Sequence, residues 1–160
     1  MGLMVGVEGG RQKVKGWPFK IIQCSLLTML SDLLGFLSGK PPHMEQVECE
    51  AFIDAVVYTM MVDKVVDPDE MEKVEEFADK LPWQGEHGVH DYVRQSIIRA
   101  VENKNYITQA EPYLISCAGN IKSTDAREFT RKACIKIVNA DGEQTRTEQG
   151  LMEIANKVFC

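Results

Sequence analysis

The sequence predicts an all-α protein, a compact bundle of about seven helices. Two observations carry that expectation. Apolar residues recur at i, i+3, i+4 and i+7 through most of the chain, and no stretch alternates convincingly with a period of two. An acidic turn also occurs twice with one internal spacing: Asp63 to Glu70 in Asp63-Lys64-Val65-Val66-Asp67-Pro68-Asp69-Glu70, and Asp141 to Glu148 in Asp141-Gly142-Glu143-Gln144-Thr145-Arg146-Thr147-Glu148. The displacement from Asp63 to Asp141 is 78 residues, and the same displacement pairs Glu75 with Glu153 and Leu81 with Phe159. An apolar helical pattern runs into and out of each turn. The chain therefore reads as two related helix–turn–helix units.

A chain of 160 residues corresponds to about one domain, long enough to bury most of its apolar surface in a single core. The net charge of −6 argues against general affinity for nucleic-acid backbones. The acids gather in two stretches, 45–54 and 63–79. Five cysteines are present, Cys24, Cys49, Cys117, Cys134 and Cys160, an odd number with no C-x-x-C spacing. That argues against a disulfide framework or a structural zinc site and favours a reducing cytoplasm. All five are expected to be reduced and mostly buried, with the terminal Cys160 the exception.

Residues 1–17 hold glycines and basic side chains without a helical period, and read as a flexible or loosely packed leader to a single domain over 18–160. Residues 18–38 carry Ile22, Leu26, Met29, Leu30, Leu33 and Leu37 at helical spacing, with Lys20, Gln23 and Asp32 between them. This is an amphipathic core helix, too polar to span a membrane, and Gly39-Lys40-Pro41-Pro42 ends it. A helix over about 43–62 follows, with Cys49, Phe52, Ile53, Val56, Val57 and Met60 on one stripe and Glu45, Glu48, Glu50 and Asp54 on the other face.

After the first acidic turn, Met71, Val74, Phe77, Ala78 and Leu81 make a shorter helix that stops near Pro82. A loop over 83–88 leads to a helix from about His90, using Val93, Ile97, Ile98 and Val101. The segment 106–121 is helical, with Pro112 expected in its first turn and Gly119-Asn120 as its stop. Asp125 to Glu128 has the form of a capping box, opening a helix that carries Ala126, Phe129, Ala133, Ile137 and Ala140. After the second acidic turn, a last helix uses Leu151, Met152, Ala155, Val158 and Phe159.

The acidic turns allow two accounts. Helix geometry explains Thr145 with Glu148, and Asp67 with Glu70, as capping boxes, with Pro68 at the favoured first position and Gly142 as a helix terminator. Asp63 and Asp141 fit less easily, because each is expected at the negative end of a helix, where a carboxylate is disfavoured by about 0.3–1 kcal/mol. Backbone amides, a basic side chain or a hard cation with oxygen ligands would each compensate. An EF-hand is excluded. Counting from Asp141, position 6 is Arg146 and position 12 is Met152; counting from Asp63, they are Pro68 and Val74. That loop requires glycine and glutamate there.

A helix ending in Ala140-Asp141-Gly142, a five-residue linker, and Glu148 opening the next helix resembles the TerB-like family, named for tellurite resistance. Val62-Asp63-Lys64 through Glu70 echoes the pattern, with Lys64 in place of glycine and Val62 in place of alanine. The resemblance implies a compact helical domain over about residues 20–160, with its two hairpins related by a pseudo-two-fold. It implies a stress-response accessory protein, cytoplasmic or peripheral at the inner membrane, and no enzyme. Its implied partners are other stress-response or membrane-associated proteins. It also implies a divalent cation (Ca, Mg, Mn or Zn) held by Asp141, Glu143 and Glu148, and by Asp63, Asp67 and Glu70. In the first turn Lys64 is placed to neutralise Asp63 or Glu70 instead. The alternative is a helical protein-interaction module whose acidic turns are purely structural.

Other signals are weaker. His87 and His90, near Glu86 and Asp91, have a spacing that suits zinc or copper, but two ligands do not make a site. His43 reads as a residue near a helix start. Met60-Met61 fits core filling better than an adaptable surface. No phosphate loop, nucleophile elbow or H-E-x-x-H motif is present.

Overall fold

Six helices account for most of the residues that the computed structural model describes, which are 40–62, 66–102, 107–140 and 145–160. They are α1 (Gln46–Met60), α2 (Pro68–Lys80), α3 (Val89–Glu102), α4 (Ile107–Asn120), α5 (Thr124–Val138) and α6 (Arg146–Val158). The described residues contain no strand. Ser38–Cys160 forms one compact unit. The helix expected over 18–38 and the leader over 1–17 lie outside the described residues.

α1 is the central element. It packs against α2, α3, α4 and α5, and it buries Cys49, Phe52, Ile53, Val56, Val57 and Met60 as its stripe requires. Its burial extends beyond that stripe to Ala51, Ala55, Tyr58 and Thr59. A helix touched on so many sides must be apolar over most of its circumference. Phe52 of α1 stacks on Phe129 of α5 at 5.2 Å, and Phe77 of α2 meets both edge-on at 5.9 and 5.8 Å. Aromatic pairs in these geometries add about 0.5–1.5 kcal/mol beyond their buried area. Met60 and Met61 are buried, so they fill the core.

The internal repeat reaches the helix boundaries. α1 and α5 are both 15 residues long, and α2 and α6 are both 13. Gln46 and Thr124, Met60 and Val138, Pro68 and Arg146, and Lys80 and Val158 are each 78 residues apart. So are the N-caps, Glu45 with Ser123 and Asp67 with Thr145, and the C-caps, Met61 with Asn139 and Leu81 with Phe159. The four helices thus match pairwise in length and in the sequence positions of their caps.

Four expectations are corrected. In α3 the buried face is Val93, Ser96 and Ala100, while Ile98 and Val101 are 57% and 55% exposed. The helix is turned so that Ser96 reaches a carboxylate on α1, and polar pairing decides its orientation over apolar periodicity. Glu48 is buried and not on a solvated face. Its Oε2 accepts from the Glu45 amide at 2.9 Å and its Oε1 from the amides of Lys122 and Ser123 at 2.9 and 3.2 Å.

Pro112 lies inside α4, beyond the first turn, where its missing N–H costs one intrahelical bond. The cap of α5 is Ser123, whose Oγ accepts from the Ala126 amide at 3.3 Å, and not Asp125. Glu128, expected to close that box, pairs with Arg131 and Lys132. None of the described helices is long and apolar enough to cross a membrane.

Candidate functional site

The described parts of the two acidic turns are helix caps. Asp67 stands just before Pro68, and its Oδ1 accepts from the Asp69 amide at 2.8 Å. Thr145 and Glu148 form a full capping box: the Glu148 amide donates to Thr145 Oγ1 at 3.2 Å, and the Thr145 amide donates to Glu148 Oε2. Glu148 is only 9% exposed, so this bond lies at the edge of the core. Glu70 is half-exposed in the first turn of α2. Asp63, Asp141 and Glu143 lie outside the described residues. Among the described residues, no three His, Cys, Asp or Glu side chains gather as a metal ion would require.

The histidines make separate contacts. His90 Nε2 lies 2.9 Å from Asp79 Oδ1, while the backbone carbonyl of His87 accepts from Trp83 Nε1 at 2.7 Å. His43 is exposed, three residues before α1. Cys49, Cys117 and Cys134 are free and buried, and Cys160 is free and exposed. Cys24 lies outside the described residues. Burial, with help from Glu48 and Glu50, pushes the Cys49 thiol up to about 11. Burial pushes Cys134 to about 11 as well, so neither thiol is an activated nucleophile.

A second feature has a polar network at its centre. A groove of about 350 Å³ opens between α1, α3 and α4. Asp54 of α1 reaches into it. Its Oδ1 accepts from Ser96 Oγ at 2.6 Å and Arg99 Nη2 at 2.6 Å, and its Oδ2 from the Tyr92 hydroxyl at 3.2 Å. These three donors recur on one face of α3, one turn apart, and so approach the carboxylate together. The Arg99 guanidinium stands 4.8 Å over the Tyr92 ring, and Trp83 backs that ring at 5.2 Å. From the opposite wall comes Tyr113 of α4, stacked on the buried Tyr58 at 4.1 Å.

The electrostatics follow from this arrangement. Burial is the largest single influence and opposes the charge on Arg99, but the hydrogen bond and the charge of Asp54, with smaller contributions from Tyr92 and Tyr113, together outweigh it, and its pKa is raised. Burial and then the Asp54 carboxylate raise the hydroxyls of Tyr92 and Tyr113 and the thiol of Cys117, which also lines the groove. These groups stay protonated across the physiological range, so they act as hydrogen-bonding and packing groups, not as bases or nucleophiles.

None of Asp54, Tyr92, Ser96, Arg99 or Tyr113 stood out in the sequence as a functional group. One signal was present. Tyr92, Ser96 and Arg99 recur at i, i+4 and i+7, a polar stripe with the period of a buried face. Nothing in the sequence pairs that stripe with Asp54, 42 residues before Ser96.

No protein-family model, no curated protein and no solved structure matches this chain.

Proposed function

We propose that the chain is a TerB-like accessory protein of the stress response that acts by binding and not by turnover, with acidic turns that are helix-capping turns. The observation that carries this is the repeat of caps and boundaries at 78 residues, with Asp67 and Thr145 at equivalent positions, each accepting from an amide of the helix that follows. Two of the six carboxylates assigned to metal, Asp67 and Glu148, each hold a backbone amide at a helix start. The pseudo-two-fold relation between the hairpins, and a bundle of about seven helices with the 18–38 segment as one more, belong to the same proposal. So do a cytoplasmic or peripheral inner-membrane location and partners among stress-response or membrane-associated proteins.

One observation favours a second reading, in which Asp141, Glu143 and Glu148 hold a divalent cation, with a weaker counterpart at Asp63, Asp67 and Glu70. α1 and α5 close at Met61 and Asn139, and in the sequence Asp63 and Asp141 each follow two residues later; a carboxylate at the negative end of a helix would call for a compensating positive charge. Calorimetric titration with Ca²⁺, Mg²⁺, Mn²⁺ and Zn²⁺ separates the two. Capping turns give no saturable heat at millimolar cation. A saturable signal that disappears in Asp141→Asn would replace the first reading with the second.

A further inference from the structure

The groove between α1, α3 and α4 has the size, rigidity and charge of a ligand site. Its volume of about 350 Å³ lies near the lower end of small-molecule pockets. Its walls are fixed, on one side by the three bonds from α3 to Asp54 and on the other by the Tyr113–Tyr58 stack. Two carboxylates, Glu50 and Asp54, line it against one guanidinium, Arg99, which leaves an excess of negative charge. At the Tyr113 hydroxyl, after burial, the Asp54 carboxylate outweighs the Arg99 guanidinium.

We infer that this groove binds a small organic cation, an alkylammonium or alkylguanidinium group. Arg99 shows the chemistry already in place: a guanidinium over a tyrosine ring with a carboxylate at 2.6 Å. The groove offers a second set of the same kind. Glu50 accepts from Gln46 Nε2 through Oε1 at 3.0 Å, and a carboxylate has further lone-pair sites for a donor. The Tyr113 hydroxyl meets no hydrogen-bond partner among the described residues and lines the same space. A cation placed there gains a charge-assisted bond and an aromatic neighbour. An anion would meet two carboxylates. The site is independent of the acidic turns, and the fate of the metal reading does not bear on it.

The test is calorimetric titration, with amide chemical-shift mapping, of the full chain with three probes: agmatine, a blocked Gly-Arg-Gly peptide, and succinate as the anionic control. Agmatine or the peptide should bind saturably and shift the amides of α1, α3 and α4. Binding of both points to a free or peptide-borne cation alike, and binding of one alone identifies the source. Glu50→Gln, which keeps the partner of Gln46, should weaken binding roughly tenfold, the value of about one charge-assisted bond. Tyr113→Phe should weaken it less, and added salt should weaken it in the wild type. No saturable binding of either cation, binding of succinate as tight as theirs, or affinity unchanged in both variants would overturn the assignment.

Discussion

The Ser96 hydroxyl donates to the Asp54 carboxylate at 2.6 Å, joining α3 to α1 across 42 residues of chain. Ser96 is fully buried, and this bond explains how a polar residue occupies the inner face of a helix whose Ile98 and Val101 point outwards. Buried polar groups persist where they are satisfied, and they set orientation as firmly as apolar contacts do.

Ser96→Ala should therefore destabilise the fold by about 1–2 kcal/mol, because Asp54 loses a donor in a partly buried site. For a domain of this size that is a fall of roughly 2–4 °C in melting temperature per kcal/mol. Arg99→Ala should cost about as much or more, and the double variant should cost less than the sum, since both donors serve the same Oδ1 atom. Denaturant melts of the three variants test this, and strict additivity would contradict it.

Glu48 gives a pH dependence with a defined sign. Burial raises its pKa, but bonds from the amides of Glu45, Ser123 and Lys122 outweigh that and hold it below the usual carboxylate range. A carboxyl whose folded pKa is depressed contributes stability that is fully present above its unfolded value, about 4.3. That contribution is lost as the pH falls from there through the folded pKa. Glu48→Gln should be less stable than the wild type by about 2 kcal/mol at pH 7, since the Glu45 amide loses its acceptor. The deficit should shrink as the pH falls below about 4. A constant deficit from neutral to acid pH would show that the charge of Glu48 plays no part.

The cysteines should separate by burial. Alkylation of the native protein at neutral pH should label Cys160 and spare Cys49, Cys117 and Cys134, which are buried and whose thiols are all raised. Denaturant without reductant should release all five. Peptide mass spectrometry reads the positions, and native labelling of Cys117 as fast as Cys160 would contradict the burial described here.

Periodicity made the helices legible wherever apolar contacts decide which face is buried. The stripe of α1 and the burial of Leu151, Ala155 and Phe159 at the end of the chain follow it. The 78-residue displacement was legible from a few acids and extends to every cap of the four repeated helices. Periodicity failed where a polar bond competes. Ser96 and Glu48 are buried by partners distant in sequence, and a single sequence does not show which carboxylate meets which amide. The groove was invisible for the same reason, since its walls come from three helices. Asp63, Asp141 and Glu143, the residues on which the metal reading most depends, lie outside the described residues.

The central claim is that the acidic turns are capping turns of a repeated hairpin. Its most direct test is the melting temperature of the wild type, Thr145→Ala and Asp141→Asn, each with and without millimolar Ca²⁺, Mg²⁺, Mn²⁺ or Zn²⁺. Thr145→Ala removes the hydroxyl that accepts from the Glu148 amide and should cost about 1 kcal/mol, equally with and without cation. Asp141→Asn should leave the protein as stable or slightly more so, because it removes a charge two residues past the α5 C-cap in sequence, where the helix dipole would disfavour a carboxylate. The wild type should melt at one temperature in every buffer. A cation that raises the wild-type melting temperature and has no effect on Asp141→Asn would contradict the claim and make the second turn a metal site.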